Sequence, residues 1–193
     1  MEHIVLGIDP GTLVMGYSIL KVDDNRAELV TMDVLYLKNI AEYNLRIRKI
    51  FDSVVAIIDK YHPDHLAIEA PFYGKNVQSM LKLGRAQGVA IAAAMSRDLS
   101  FTEYEPRLIK QYITGSGAAS KEQVARMLQM QLKYEDVPKY LDATDALAAA
   151  YCHYLQLTHP MAALHQELKA KKKVTSRRNS WADFVNQNPD RIE

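Results

Sequence analysis

Two acidic residues in this chain each close a short apolar run. HIVLGID (His3 to Asp9) ends in Asp9 and meets the turn formers Pro10, Gly11 and Thr12, while HLAIE (His65 to Glu69) ends in Glu69 shortly before Pro71. Each acid is therefore expected at the end of a strand. Two more, Asp142 and Asp145, lie three residues apart at the head of the alanine-rich segment LDATDALAAAYCHYLQL, so a helix places both on one face. Taken singly, each has an ordinary structural explanation. Strand ends often carry a solvated acid, and Asp142 and Asp145 suit an N-cap and a first helical turn. Taken together they suggest one site, because two parallel neighbouring strands and a helix can bring all four to one point at a sheet edge. Four carboxylates there repel one another and resist desolvation, so cations are required. Oxygen ligands without a His or Cys cage suit Mg²⁺, with Mn²⁺ able to substitute. A pair of such ions, one activating water and one stabilising the leaving oxygen, implies phosphodiester hydrolysis.

The elements that must position these acids read as follows. His3 to Asp9, Gly16 to Val22 and Arg26 to Leu37 are expected strands, the last two separated by the hairpin residues Asp23, Asp24 and Asn25, and together they form an antiparallel meander. Apolar residues at Leu45, Ile47, Ile50, Phe51, Val54, Ile57 and Ile58 have helical spacing between Glu42 and Tyr61, and His62-Pro63 ends the run. Asn76 to Arg97 is a helix rich in Gly and Ala, which permits close approach to a sheet or a partner subunit. Phe101 to Tyr104 is a short strand. Pro106 opens the next helix, Thr114 to Ala119 is a glycine-containing loop, and Ser120 with Gln123 forms a capping box for another helix. Leu141 to Leu157 is the last helix. This order predicts an α/β protein with one mixed sheet and helices on both faces. The expected organisation is a domain over residues 1–158 followed by a basic, flexible tail over 159–193.

With 193 residues, 48% of them hydrophobic, the chain can bury one core. The start Met1-Glu2-His3 lacks the basic flank and apolar run of a secretion signal, so a cytoplasmic protein is expected, and no segment has the length of an apolar membrane span. Cys152 is the only cysteine, which excludes an internal disulfide and a thiolate cage; a buried structural role is expected. The net charge is only +1. Residues 161–193 hold seven Lys/Arg and four Asp/Glu, giving +3 and leaving about −2 for residues 1–160. Nucleic-acid affinity must then come from locally arranged Lys and Arg.

Four segments resemble the RuvC family of bacterial Holliday junction resolvases in order and spacing: GIDPGTLVMGY (Gly7 to Tyr17), AIEAPFYGKNVQSMLKLGRAQGVAIAAA (Ala67 to Ala94), IKQYITGSGAASKEQV (Ile109 to Val124) and DATDALAAAYCH (Asp142 to His153). The resemblance runs to about Leu157 and not into the basic tail. It implies a ribonuclease H-like fold and a homodimer with two active sites. The implied activity is that of a crossover junction endodeoxyribonuclease in DNA recombination and repair. Paired symmetric nicks would leave 5′-phosphate and 3′-hydroxyl ends. Asp9, Glu69, Asp142 and Asp145 fall on the family's metal-binding carboxylates, and Lys110 and Lys121 on lysines associated with DNA contact and activity. Phe72 falls on an aromatic that stacks on an unpaired base, an interaction worth about 1–3 kcal/mol. Lys75, Asn76, Gln78 and Arg85 are candidate contacts to the DNA backbone. The family also suggests work with the RuvA and RuvB branch-migration machinery. His153 reads as a helix-face histidine and not a ligand. Thr144, where alanine is frequent, and Ser116 depart from the family pattern without touching the acids.

Three rivals share part of this pattern. An ATP-binding protein of the actin, sugar-kinase and Hsp70 type also follows a strand with Asp-x-Gly-Thr, but needs a second lobe. A catalytically silent junction-binding dimer would not need the full acidic set, and a ribonuclease H acting on RNA–DNA hybrids would not need the region around Phe72.

Overall fold

The computed structural model describes residues 2–23, 26–71, 76–135 and 140–158. Phe72, Lys75, the hairpin residues Asp24 and Asn25 and the basic tail lie outside them. Five strands form one sheet: β1 (His3–Asp9), β2 (Val14–Val22), β3 (Ala27–Tyr36), β4 (His65–Glu69) and β5 (Ser100–Tyr104). Their spatial order is β3-β2-β1-β4-β5. The expected antiparallel meander is present, and β1 pairs with β4 in parallel, as the convergence of the acids requires. Strand β2 begins two residues earlier than expected from Gly16, because Val14 pairs with Tyr36 and only four residues are left for the turn after Asp9.

The helices are α1 (Tyr43–Tyr61), α2 (Val77–Met95), α3 (Pro106–Thr114), α4 (Lys121–Leu132) and α5 (Leu141–Thr158). Their boundaries follow local chemistry. His62 takes a left-handed conformation (φ 47°) that ends α1 just before Pro63. Asn76, expected inside α2, is instead its N-cap, its side chain accepting the Ser79 N–H at 3.1 Å. Gly115, with φ 77°, closes α3, a position where a side chain would be strained. Before α4 the expected capping box forms. Ser120 Oγ accepts the Gln123 N–H at 3.2 Å and Gln123 Oε1 accepts the Ser120 N–H at 2.8 Å.

Side chains alternate across the strands, so the sheet has two apolar faces, both covered. On one, Leu6, Ile8, Ile19, Leu66 and Ile68 pack against Ile50 and Val54 of α1 and Ala86, Ala90, Ala93 and Ala94 of α2. On the other, Val5, Leu20, Ala67 and Tyr104 pack against α3, α4 and α5. Every residue of α5 from Ala143 to Tyr154 is buried, Cys152 included. That is why its alanines are so dense: a helix laid on the middle of a sheet and flanked by two others has no solvent face and little room for bulk. No helix among the described residues is long and apolar enough to cross a membrane.

Candidate active site

The parallel register sets the first two acids side by side. Val5 is opposite His65, Gly7 opposite Ala67 and Ile8 opposite Ile68, so Asp9 and Glu69 are the next positions on adjacent strands. Both project to the face that carries Val5, Gly7 and Ala67, the face under α5. The first turn of α5 lies directly on this end of the sheet. An added Cβ on Gly16 would stand 1.9 Å from the Asp142 carbonyl oxygen, and one on Gly7 would stand 2.1 Å from that of Ala146. Both contacts are to backbone and cannot be relieved by a side-chain rotation. The two glycines therefore set the depth at which α5 delivers Asp142 and Asp145. Asp142 is in the first helical turn, in place of the N-cap that the ordinary explanation assigned it, and Asp145 is 8% exposed.

Electrostatics show that the acids share one environment. Asp9 is held well above the usual carboxylate range, first by burial and then by repulsion from Glu69, Asp145 and Asp142, with Lys121 opposing. Glu69 is pushed up to about 7 by burial and by Asp145, with Lys121 and Lys110 pulling it down. Burial also raises Asp145, against the hydrogen bond from Lys121. Lys121 donates that bond to Asp145 Oδ2 from the first residue of α4. Burial opposes its charge, but Asp145, Asp9 and Glu69 together keep its pKa above the ordinary lysine value. Lys110 of α3 and Lys121 line a cavity of about 300 Å³ together with Glu69 and Asp145.

A divalent metal suits this donor set. Buried carboxylates that are driven toward the neutral form by one another are what an added cation would hold ionised, and all the donors are hard oxygens. Among the described residues no three His, Cys, Asp or Glu side chains already converge on one metal position. The ammonium of Lys121 supplies the balancing charge at Asp145 instead.

The remaining candidates are dispersed. Asn76 spends its carbonyl oxygen on capping α2, while Gln78 and Arg85 are exposed on that helix. His153 is not a surface residue but is 6% exposed, its Nδ1 2.7 Å from the Tyr104 hydroxyl, and burial lowers its pKa to about 4. It lies at the other end of α5 from the acids and takes no part in the site. Sequence reading missed Lys38, Arg46 and Lys82, which line a groove with Asp142, and Arg107, which lines a cavity with Lys110. No spacing rule could have joined Lys38, Arg46 and Lys82, because they come from a loop and two different helices.

Known proteins match this chain in sequence and in fold. The family model described as crossover junction endodeoxyribonuclease RuvC matches residues 5–153. Proteins of that name from Bacteroides fragilis and Porphyromonas gingivalis are each 52% identical to this chain; the matches cover 100% and 99% of it and 97% of either relative. The solved structure of T. thermophilus RuvC in complex with a Holliday junction substrate superimposes with a TM-score of 0.76 at 28% identity, over 81% of this chain and 95% of that one. The fold is thus the ribonuclease H-like mixed sheet of the RuvC structures. From the matched segments, the four acids and their shared fold, the chain belongs to the RuvC family of crossover junction endodeoxyribonucleases.

Proposed function

We propose that this chain resolves four-way (Holliday) DNA junctions by paired symmetric nicks, with Asp9, Glu69, Asp142 and Asp145 as the carboxylates that hold two Mg²⁺ ions. The observation that carries the reading is the shared burial and mutual repulsion of Asp9, Glu69 and Asp145 where two parallel strand ends meet one helix. When bound, the metal supplies Lewis-acid activation of water and of the phosphodiester. The chain's own residues do the rest. Asp9 and Glu69 are fixed by the sheet, so they hold position without reorganising, and Gly7 and Gly16 fix the height of Asp142 and Asp145. Lys121 is bonded to Asp145 before substrate arrives. It lines one cavity with Lys110, Glu69 and Asp145, where the two ammonium groups would favour charge developing on the phosphate oxygens.

Phe72 and Lys75 follow Glu69 in sequence, Asn76 caps α2, and Gln78 and Arg85 are exposed on that helix; we assign Phe72 to stacking at the junction centre and the others to backbone contacts. A homodimer suits the two-fold symmetry of the product. It is supported by Val77, Leu81, Gly84 and Gly88, which follow one another at helical spacing along α2 and are all exposed, Val77 and Leu81 at 59% and 55%. RuvA and RuvB are the proposed partners in the pathway.

Cleavage of a synthetic four-way junction, a linear duplex and an RNA–DNA hybrid, with Mg²⁺ or EDTA, tests the reading. Wild type is expected to cut the junction in Mg²⁺ and not in EDTA, and Asp9→Asn to lose activity. Preference for the hybrid, or undiminished cutting by Asp9→Asn, would sink it.

A further inference from the structure

Beside the acids lies a groove of about 560 Å³ that runs from Asp142 along the turn after β1 to the flanks of α1 and α2. Its lining includes Thr12, Lys38, Arg46, Lys82, Tyr140 and Asp142. We infer that this groove is a track for the phosphate backbone of a DNA arm leaving the active site on the Asp142 side, with Lys38, Arg46 and Lys82 as its phosphate contacts. The inference rests on the reading of the site as a phosphodiester-cleaving centre, and names where the substrate goes beyond it.

Three observations carry it. The first is charge. The chain as a whole is nearly neutral at +1, yet three cations from three segments line one groove, and the acid named beside them is Asp142, at the catalytic end. Some surface cations are spent on a carboxylate: Lys21 is 2.9 Å from Glu2, Arg48 is 3.6 Å from Asp52 and Arg97 is 2.7 Å from Asp59. Among the described residues, Lys38, Arg46 and Lys82 have no such partner.

The second is preorganisation. Arg46 donates its Nε–H to the Ile40 carbonyl at 2.5 Å, which fixes the guanidinium plane against the loop that carries Lys38. Lys38 Nζ stands 6.0 Å from the centre of the Tyr36 ring, which in turn lies 6.1 Å from that of Tyr140. Arg46 and Lys38 are thus restrained on the groove wall, and a planar donor fixed as Arg46 is loses little entropy on meeting a phosphate.

The third is continuity. A strand whose scissile phosphate lies over the four acids must leave in two directions. On the Glu69 side it meets Lys110 and Arg107, which line a cavity of about 480 Å³ with Ala70 and Pro71. On the Asp142 side the Lys38–Arg46–Lys82 groove offers the matching positive wall. Cations thus flank the acids on both sides, Lys110 and Arg107 outnumbering Glu105 in the one cavity and three cations standing beside Asp142 in the other, an arrangement that favours the flanking phosphates of one continuous strand while leaving the reacting phosphate to the metal site.

The test measures binding of full-length protein to a labelled synthetic four-way junction in EDTA, from low to moderate salt. Lys38→Glu with Lys82→Glu is expected to weaken binding at least about tenfold near 0.1 M salt and to lower the slope of log K against log salt by about 2, close to 0.9 for each phosphate no longer neutralised. The neutral pair Lys38→Gln with Lys82→Gln, which removes charge without adding repulsion and serves if the reversed pair misfolds, is expected to lower the slope equally. Arg48→Asp, outside the groove, should bind as wild type does. Wild-type affinity and slope in the paired variants would overturn the assignment. So would a loss of dimer mass in light scattering with junction affinity intact, which would make the groove an interface between copies. Failure of wild type to cut a junction would instead overturn the parent reading, and is scored separately in Mg²⁺.

Discussion

Glu69 is the residue at which the cost of assembling this site is most directly measurable. Its pKa of about 7 lies above the ordinary 4.5, so the folded protein holds that proton over a range in which the unfolded chain has released it. The sign follows: the stability this group contributes is complete below about pH 4.5 and is lost as pH rises through about 7. In EDTA the thermal midpoint of wild type should therefore fall between pH 5 and 8 by more than that of Glu69→Gln, each kcal/mol of difference appearing as about 2–4 °C. Saturating Mg²⁺ should abolish the wild-type decline, because the ion favours the ionised form. Equal pH slopes for the two proteins in EDTA would show that Glu69 is not under this pressure. Asp9→Asn and Asp145→Asn are expected to cost at least about a hundredfold in junction cleavage. Lys121→Ala should cost about ten- to a hundredfold while retaining Mg²⁺ dependence, since it removes a cation that aids the phosphate and no metal donor.

At the scale of elements, the decisive packing is that of α5 on the first two strands. Gly16→Ala would place a methyl against the backbone of Asp142, and the clash can be relieved only by lifting the helix. The expected outcome is a lower thermal midpoint together with a higher Mg²⁺ concentration for half-maximal cleavage; unchanged Mg²⁺ dependence would mean that α5 does not set the acid positions. Most of these elements were legible locally. The run of Ile50, Val54, Ile57 and Ile58 marked α1, Ser120 with Gln123 marked the start of α4, and Pro106 marked α3, because each signal is a matter of neighbours in sequence. The early start of β2 and the capping role of Asn76 were not legible, since the first depends on Tyr36 across the sheet and the second on the extended backbone (φ −92°, ψ 96°) that Asn76 takes just before α2.

For the whole molecule, contacts divide the chain into Met1–Thr158 and His159–Glu193. Residues 159–193, basic in sequence, are proposed to add non-specific phosphate affinity. A variant ending at Thr158 should fold, cut junctions and show a shallower salt dependence of binding, by about 0.9 for each phosphate that the tail neutralises; an unchanged slope would give the tail no part in binding. A dimer mass by light scattering at micromolar concentration is expected for wild type, and Leu81→Glu on the exposed stripe of α2 should lower it. A monomeric wild type would remove the basis for paired nicks by one assembly.

By itself the sequence determined the element types, the two acids at strand ends, the two on one helix face and the family, because period, capping and motif order are properties of neighbouring residues. Tertiary structure alone decided that β1 and β4 are parallel neighbours, that α5 is pressed onto Gly7 and Gly16, and that Lys121 reaches Asp145. It also brought Lys38, Arg46 and Lys82 to one groove. The physical reason is range: a carboxylate's type is written at its own position, but its pKa, its partners and the path of its substrate depend on residues brought near only when the sheet closes over its core.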